Sequence, residues 1–168
     1  MVPELPLQQS VDSPSSYSVD NYAIKQVASF SLKAKVLAKK NYSADRAAEL
    51  SPTDLALGWG RMSDETVLEK IKISQSNRFY FWRVKSFVIP RREIERNSAN
   101  MHLIPANDLV TKAIERVRPG DIISLTGSLV NATSVTDGWR WQSSQTRNDT
   151  GAGACELIYV ESLNIITP

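Results

Sequence analysis

One cysteine, one histidine and no long apolar run mark this chain of 168 residues. A lone Cys155 excludes an internal disulfide framework and a thiolate-rich zinc site, so stability has to come from packing. It leaves the compartment open. No stretch approaches the roughly 18 consecutive apolar residues that cross a bilayer, and no basic segment followed by an apolar one opens the chain. Net charge is also small, +2 with a pI near 8.7, far from the footprint of a protein that tracks a phosphate backbone.

What is present suits one globular core, with 42% apolar and 23% charged residues. Residues 1–21 carry Pro3, Pro6 and Pro14 among Ser and Gln, too few apolar groups to offset ordering entropy, and read as a flexible tail or tether. Such a segment follows a removed anchor as readily as it forms a native tail. Residues 22–168 read as a single domain.

Within that domain, Phe30, Leu32, Ala34 and Val36 alternate with polar residues as in a half-wet strand. Ser51-Pro52-Thr53-Asp54 has the cap, proline and first-turn acid of a short helix ending at Gly58, and Ser63-Asp64-Glu65 opens a second. Arg78 to Val84, with four aromatics in a row, predicts a strand buried on at least one face. After a basic, Pro-interrupted stretch, Asn107 and Asp108 cap a helix presenting Val110, Ala113, Ile114 and Val117 on one side, and Pro119-Gly120 stops it. Ile123, Leu125, Gly127 and Leu129 alternate next, Asp137-Gly138 turns a hairpin into Trp139-Arg140-Trp141, and Cys155 to Ile165 forms a last strand with Leu157, Tyr159 and Leu163 on one face. This order predicts a β-dominated α+β fold, specifically a small five-stranded barrel of the oligonucleotide/oligosaccharide-binding (OB-like) type with short helices, or else an open α+β sandwich.

Three constellations carry chemistry. Asp149-Thr150-Gly151-Ala152 matches the tetrapeptide around an aspartic-protease carboxylate, but no second copy exists and a loop turn explains it equally. Cys155, His102 and Asn100 are the residue types of a nucleophile, its base and an orienting amide. A buried core cysteine and a structural histidine are the plainer account. Aromatic and arginine residues also interleave: Trp59 with Arg61, Tyr80 with Arg83, and Trp139, Arg140 and Trp141 followed by Ser143, Ser144, Arg147 and Asp149. Rings stack and guanidinium groups clamp, so these residues are the candidate ligand-binding set. A Trp-Arg-Trp strand with both rings in the core and the arginine in water has the same pattern. No cofactor and no metal site is expected.

The runs Ser51-Pro52 through Leu57-Gly58-Trp59-Gly60, Ser98 to Pro105, Trp139 to Ser144 and Asp149 to Glu156 together resemble a family of bacterial exported or membrane-anchored proteins with no assigned activity. The likeness runs from about residue 22 onward. It implies a periplasmic location, or the outer face of the cytoplasmic membrane by way of an anchor this chain lacks. A cytoplasmic location stays open, and no catalytic residue is implied. The resulting expectation is a non-enzymatic binding or assembly domain of a bacterial cell-envelope protein, with a protein or envelope component as partner in preference to nucleic acid. The alternatives are a small cysteine hydrolase using Cys155 and His102, and a single-stranded nucleic-acid-binding module.

Overall fold

Twenty residues of uninterrupted strand, β3 (Tyr22–Asn41), organise the computed structural model, which describes residues 1–145 and 155–166. The predicted alternation lies inside it, with Phe30, Leu32, Ala34 and Val36 buried. β4 (Thr53–Gly58) pairs antiparallel with its C-terminal end, and β8 (Ile122–Ser134) with most of its length. Register shifts between Gln26 and Ala28 and between Val36 and Ala38 interrupt those ladders. Such bulges sharpen twist and let so long a strand bend.

The remaining pairings follow from β4. It pairs antiparallel with β7 (Ser98–Pro105), β7 pairs parallel with β10 (Glu156–Ile166), and β10 pairs antiparallel with β8. β9 (Arg140–Gln142) adds a short ladder to β8 through the Asp137-Gly138 turn, where Gly138 takes the positive φ of 74° that such a turn needs. These strands join one eight-stranded sheet, while β5 (Ile71–Ser76) and β6 (Phe79–Val84) form a separate hairpin. Three short helices complete the fold: α1 (Glu65–Leu68), α2 (Arg91–Arg96) and α3 (Asp108–Arg116). α3 starts where predicted, with the Asn107 side chain accepting from the Val110 amide, and it buries Val110 and Ile114. The fold is β-dominated, and no helix among the described residues is long and apolar enough to cross a membrane.

Four expectations change. Residues 1–21 are not a loose tail, because β1 (Leu7–Ser10) and β2 (Ser16–Val19) pair with β3 and Val2 bridges to Gly60. Edge pairing draws on backbone hydrogen bonds, which polar residues supply as well as apolar ones. Tyr17 also stacks on Tyr159 at 4.2 Å. Thr53 to Gly58 is a strand instead of a helix: six residues with partners on both edges and Leu55, Ala56 and Leu57 fully buried satisfy more groups than one isolated helical turn. The Pro-interrupted stretch yields β7, a central strand. Finally, Leu157 and Tyr159 do not share a face with Leu163. A register shift between Val160 and Ser162 reverses the alternation, so Leu163 joins Ile158 and Val160 in the main core while Leu157 and Tyr159 pack in a second one.

Candidate functional site

β4 and β7 run antiparallel with Asp54 directly opposite His102, so both side chains project from the same face, and Asn100 lies two residues from His102 on that face. Asp54 is fully buried. Its Oδ1 accepts from His102 Nδ1 at 2.9 Å and from Arg78 Nη1 at 2.8 Å, and its Oδ2 accepts from Asn100 Nδ2 at 3.0 Å. Because a carboxylate only accepts, Nδ1 carries the imidazole proton and Nε2 is left as the ring's other polar atom.

Arg78 arrives from the β5–β6 turn. Asn77 and Arg78 hold φ values of 51° and 71°, the left-handed pair of a tight hairpin turn, in which arginine is strained relative to glycine. Several contacts hold it there. The guanidinium forks onto Asp45 at 2.8 and 2.9 Å, covers the Tyr42 ring at 4.1 Å and lies 5.6 Å from the Trp141 ring. Asp45 is held below the usual carboxylate range, first by the hydrogen bonds from Arg78. The backbone of Arg78 is engaged as well, its N–H donating to Tyr42 Oη and its carbonyl accepting from Asn100 Nδ2.

Trp141, set by the β8–β9 hairpin, leans over His102 with ring centroids 4.7 Å apart. Below it opens a cleft of about 450 Å³ lined by Arg78, Phe79, His102, Arg140, Trp141, Gln142 and Cys155. The Cys155 thiol points to the Arg78 carbonyl, 3.8 Å away. Burial, then the neighbouring charges of Glu156 and Asp54, push it up to about 12. It is a thiol at neutral pH, the opposite of an activated nucleophile.

The candidates therefore divide. Cys155, His102, Arg140 and Trp141 meet at this cleft, whereas Asn100 braces Asp54, and Asp54 is the group that orients the histidine. Trp59 is buried in the main core. Arg61 makes a surface pair with Glu93, and Tyr80 turns inward to Ser98, where burial raises its phenol to about 12. Arg83 is exposed on the hairpin. Trp139 packs edge-on against Tyr22 and under Arg46, and Trp141 leans on the same minor core, so the pair is partly structural, as the core-strand account has it. Ser143 and Ser144 are buried, and Ser143 Oγ donates to the Ser144 carbonyl and accepts from the Leu157 amide, which makes it a loop brace. Arg147, Asp149 and the Asp149 to Ala152 tetrapeptide lie outside the described residues.

Asp54, Asp45, Tyr42, Phe79 and Gln142 were not singled out as site residues by the sequence. Asp54 was hidden by its neighbours, since Ser-Pro-Thr-Asp imitates a helix start. The signal that could have exposed it is an acid beside Leu55-Ala56-Leu57, a buried-strand triplet.

A larger depression of about 860 Å³ involves Tyr22, Tyr42, Asp45, Arg46 and Glu49. Its charged groups are mutually satisfied, with Tyr22 donating to Glu49, Arg46 forked onto Asp137 and Asp45 onto Arg78. Among the described residues no group of three or more His, Cys, Asp or Glu could hold a metal ion. No family model, curated protein or solved structure matches the chain.

Proposed function

We propose that this chain is a non-enzymatic binding or assembly domain of a bacterial cell-envelope protein, built on an OB-like five-stranded barrel, and that it takes a carboxylate-bearing group of its partner in the cleft under Trp141. The barrel reading is supported by the pairing circuit: β3, β4, β7, β10 and β8 pair in succession, β8 pairs back onto β3, and α3 falls between the third and fourth of these strands in chain order. The envelope reading is supported by the sequence resemblance described above.

The observation that carries the binding reading is the buried network of Asp54, Arg78, His102 and Asn100 beneath that cleft. Burying two ionised groups rarely stabilises a fold better than apolar residues of the same volume, so a network of this kind is better explained by a task than by stability. Here it fixes the imidazole with Nε2 available beside an aromatic wall of Trp141 and Phe79. Arg140 stands exposed at the rim with no ion pair among the described residues. A flat group against the wall with an acidic end at Arg140 and His102 uses all of these features.

Titrating isotope-labelled protein with benzoate and with neutral benzamide tests this. Benzoate is expected to shift the Trp141 indole and His102 ring signals at millimolar concentration, benzamide to be weaker, and Arg140→Ala to abolish the difference. Equal binding of the two probes, or shifts confined to other regions, would refute it. The hydrolase alternative finds no comparable support, since the Cys155 thiol is engaged with a backbone carbonyl and pushed away from ionisation.

A further inference from the structure

The chain nets only +2, yet from Lys70 to Arg96 it carries eight Lys and Arg against two Glu. This excess falls on and around the β5–β6 hairpin, which stands apart from the main sheet. Register places Ile71 opposite Val84 and Ile73 opposite Trp82, and these face inward onto Met62, Val67, Ile89 and Ile94. The intervening pairs, Lys72 with Arg83 and Ser74 with Phe81, occupy the outer face.

Two features of that arm are costly in isolation. Like charges directly across a strand pair destabilise it, and among the described residues Lys72, Arg83 and Lys85 have no carboxylate within ion-pair distance. Large apolar side chains are also left in water: Phe81, Phe87 and Val88 are 50%, 54% and 45% exposed. Uncompensated cations interspersed with exposed apolar groups complement a surface that is anionic at its face and apolar just beneath.

We propose that this arm docks peripherally on an anionic lipid bilayer, with Lys72, Arg83 and Lys85 at the headgroups and Phe81, Phe87 and Val88 at the acyl boundary. Lipid fits better than nucleic acid because phenylalanine and valine offer no hydrogen-bonding group and valine has no ring to stack on a base. The proposal is independent of the cleft, since none of these six residues lines it.

Flotation of the full chain with vesicles of phosphatidylcholine, alone or mixed with phosphatidylglycerol, decides the matter. Each cation near the surface is expected to contribute about fivefold (about 1 kcal/mol), so three favour the anionic vesicles on the order of 100-fold at low salt. Added salt should release the protein. Phe81→Ser with Phe87→Ser should weaken binding at least tenfold. Lys72→Ser with Arg83→Ser, which spares the apolar groups, should remove most of the preference for phosphatidylglycerol, and it keeps the proposal testable if the first pair fails to fold. Equal partition into both vesicle types, an unaltered preference in the Lys72/Arg83 variant, or displacement from vesicles by a single-stranded oligonucleotide at lower concentration than the lipid would overturn it.

Discussion

Replacing Asp54 tests the centre of the site most directly. Asp54→Ala deletes a fully buried carboxylate that receives three hydrogen bonds, from Arg78, His102 and Asn100. Breaking a buried pair from one side typically costs about 3–5 kcal/mol, because the surviving charge stays desolvated. Arg78 keeps its fork to Asp45, which places that contribution near the lower end. The donors orphaned on His102 and Asn100 add roughly 1 kcal/mol or more, giving a total of about 4 kcal/mol. With a urea slope of about 2 kcal/mol per molar, the unfolding midpoint should fall by about 2 M at neutral pH. Asp54→Asn, which keeps the shape and one acceptor, should lose about half as much. Adding Arg78→Met to Asp54→Ala should restore part of the loss, since it removes the uncompensated cation. A loss below about 1 kcal/mol for Asp54→Ala, or simple additivity in the double variant, would refute the account of the network.

Further tests address the rest of the fold. Cys155 should react with a thiol reagent at neutral pH roughly a thousandfold more slowly than a free cysteine, and at the free rate once urea unfolds the chain. Folding raises the Cys155 thiol from its ordinary 9 to about 12, so the stability it contributes is complete below pH 9 and disappears as pH climbs towards 12; Tyr80 adds a parallel loss from 10 to about 12. Urea midpoints measured across that range should show the decline, and Cys155→Ser should remove its lower part. Gly127→Ala should destabilise by about 3 kcal/mol in thermal unfolding, because its Cβ would lie 2.0 Å from the Tyr159 carbonyl oxygen. Gly138→Ala, with open space but a φ of +74°, should cost only about 1 kcal/mol. Lys39 Nζ donates to the carbonyls of Ile114, Glu115 and Val117, so Lys39→Met should speed amide exchange in the last turn of α3 by about tenfold.

Local patterns that survive into the fold were legible in the sequence. The capped α3, the Asp-Gly hairpin and the alternation in β3 and β8 each use chemistry contained within a few residues, and each appears where the pattern predicts it. Patterns overruled by distant partners were not legible. β4 has a helix-like start but is claimed on both edges by β3 and β7, and β2 is polar yet finds a ladder on β3. For the site, His102, Trp141 and Cys155 were visible as residue types, but their organiser was not. Arg78 depends on a left-handed turn without glycine, and Asp54 on a cross-strand register, neither of which leaves a local signature.

The position of β10 has a consequence for synthesis. The last strand to leave the ribosome lies between β7 and β8, each of which already has its other neighbour. Until it emerges, the nascent chain holds two unpaired edges across an empty slot, with Leu157, Ile158 and Val160 missing from the cores they complete. Long-range pairing of this kind folds late and leaves edges open to wrong partners. A stop codon that removes only residues 156–166 should therefore produce an aggregating chain instead of a slightly shorter domain, and translation pauses late in the message would prolong the same hazard.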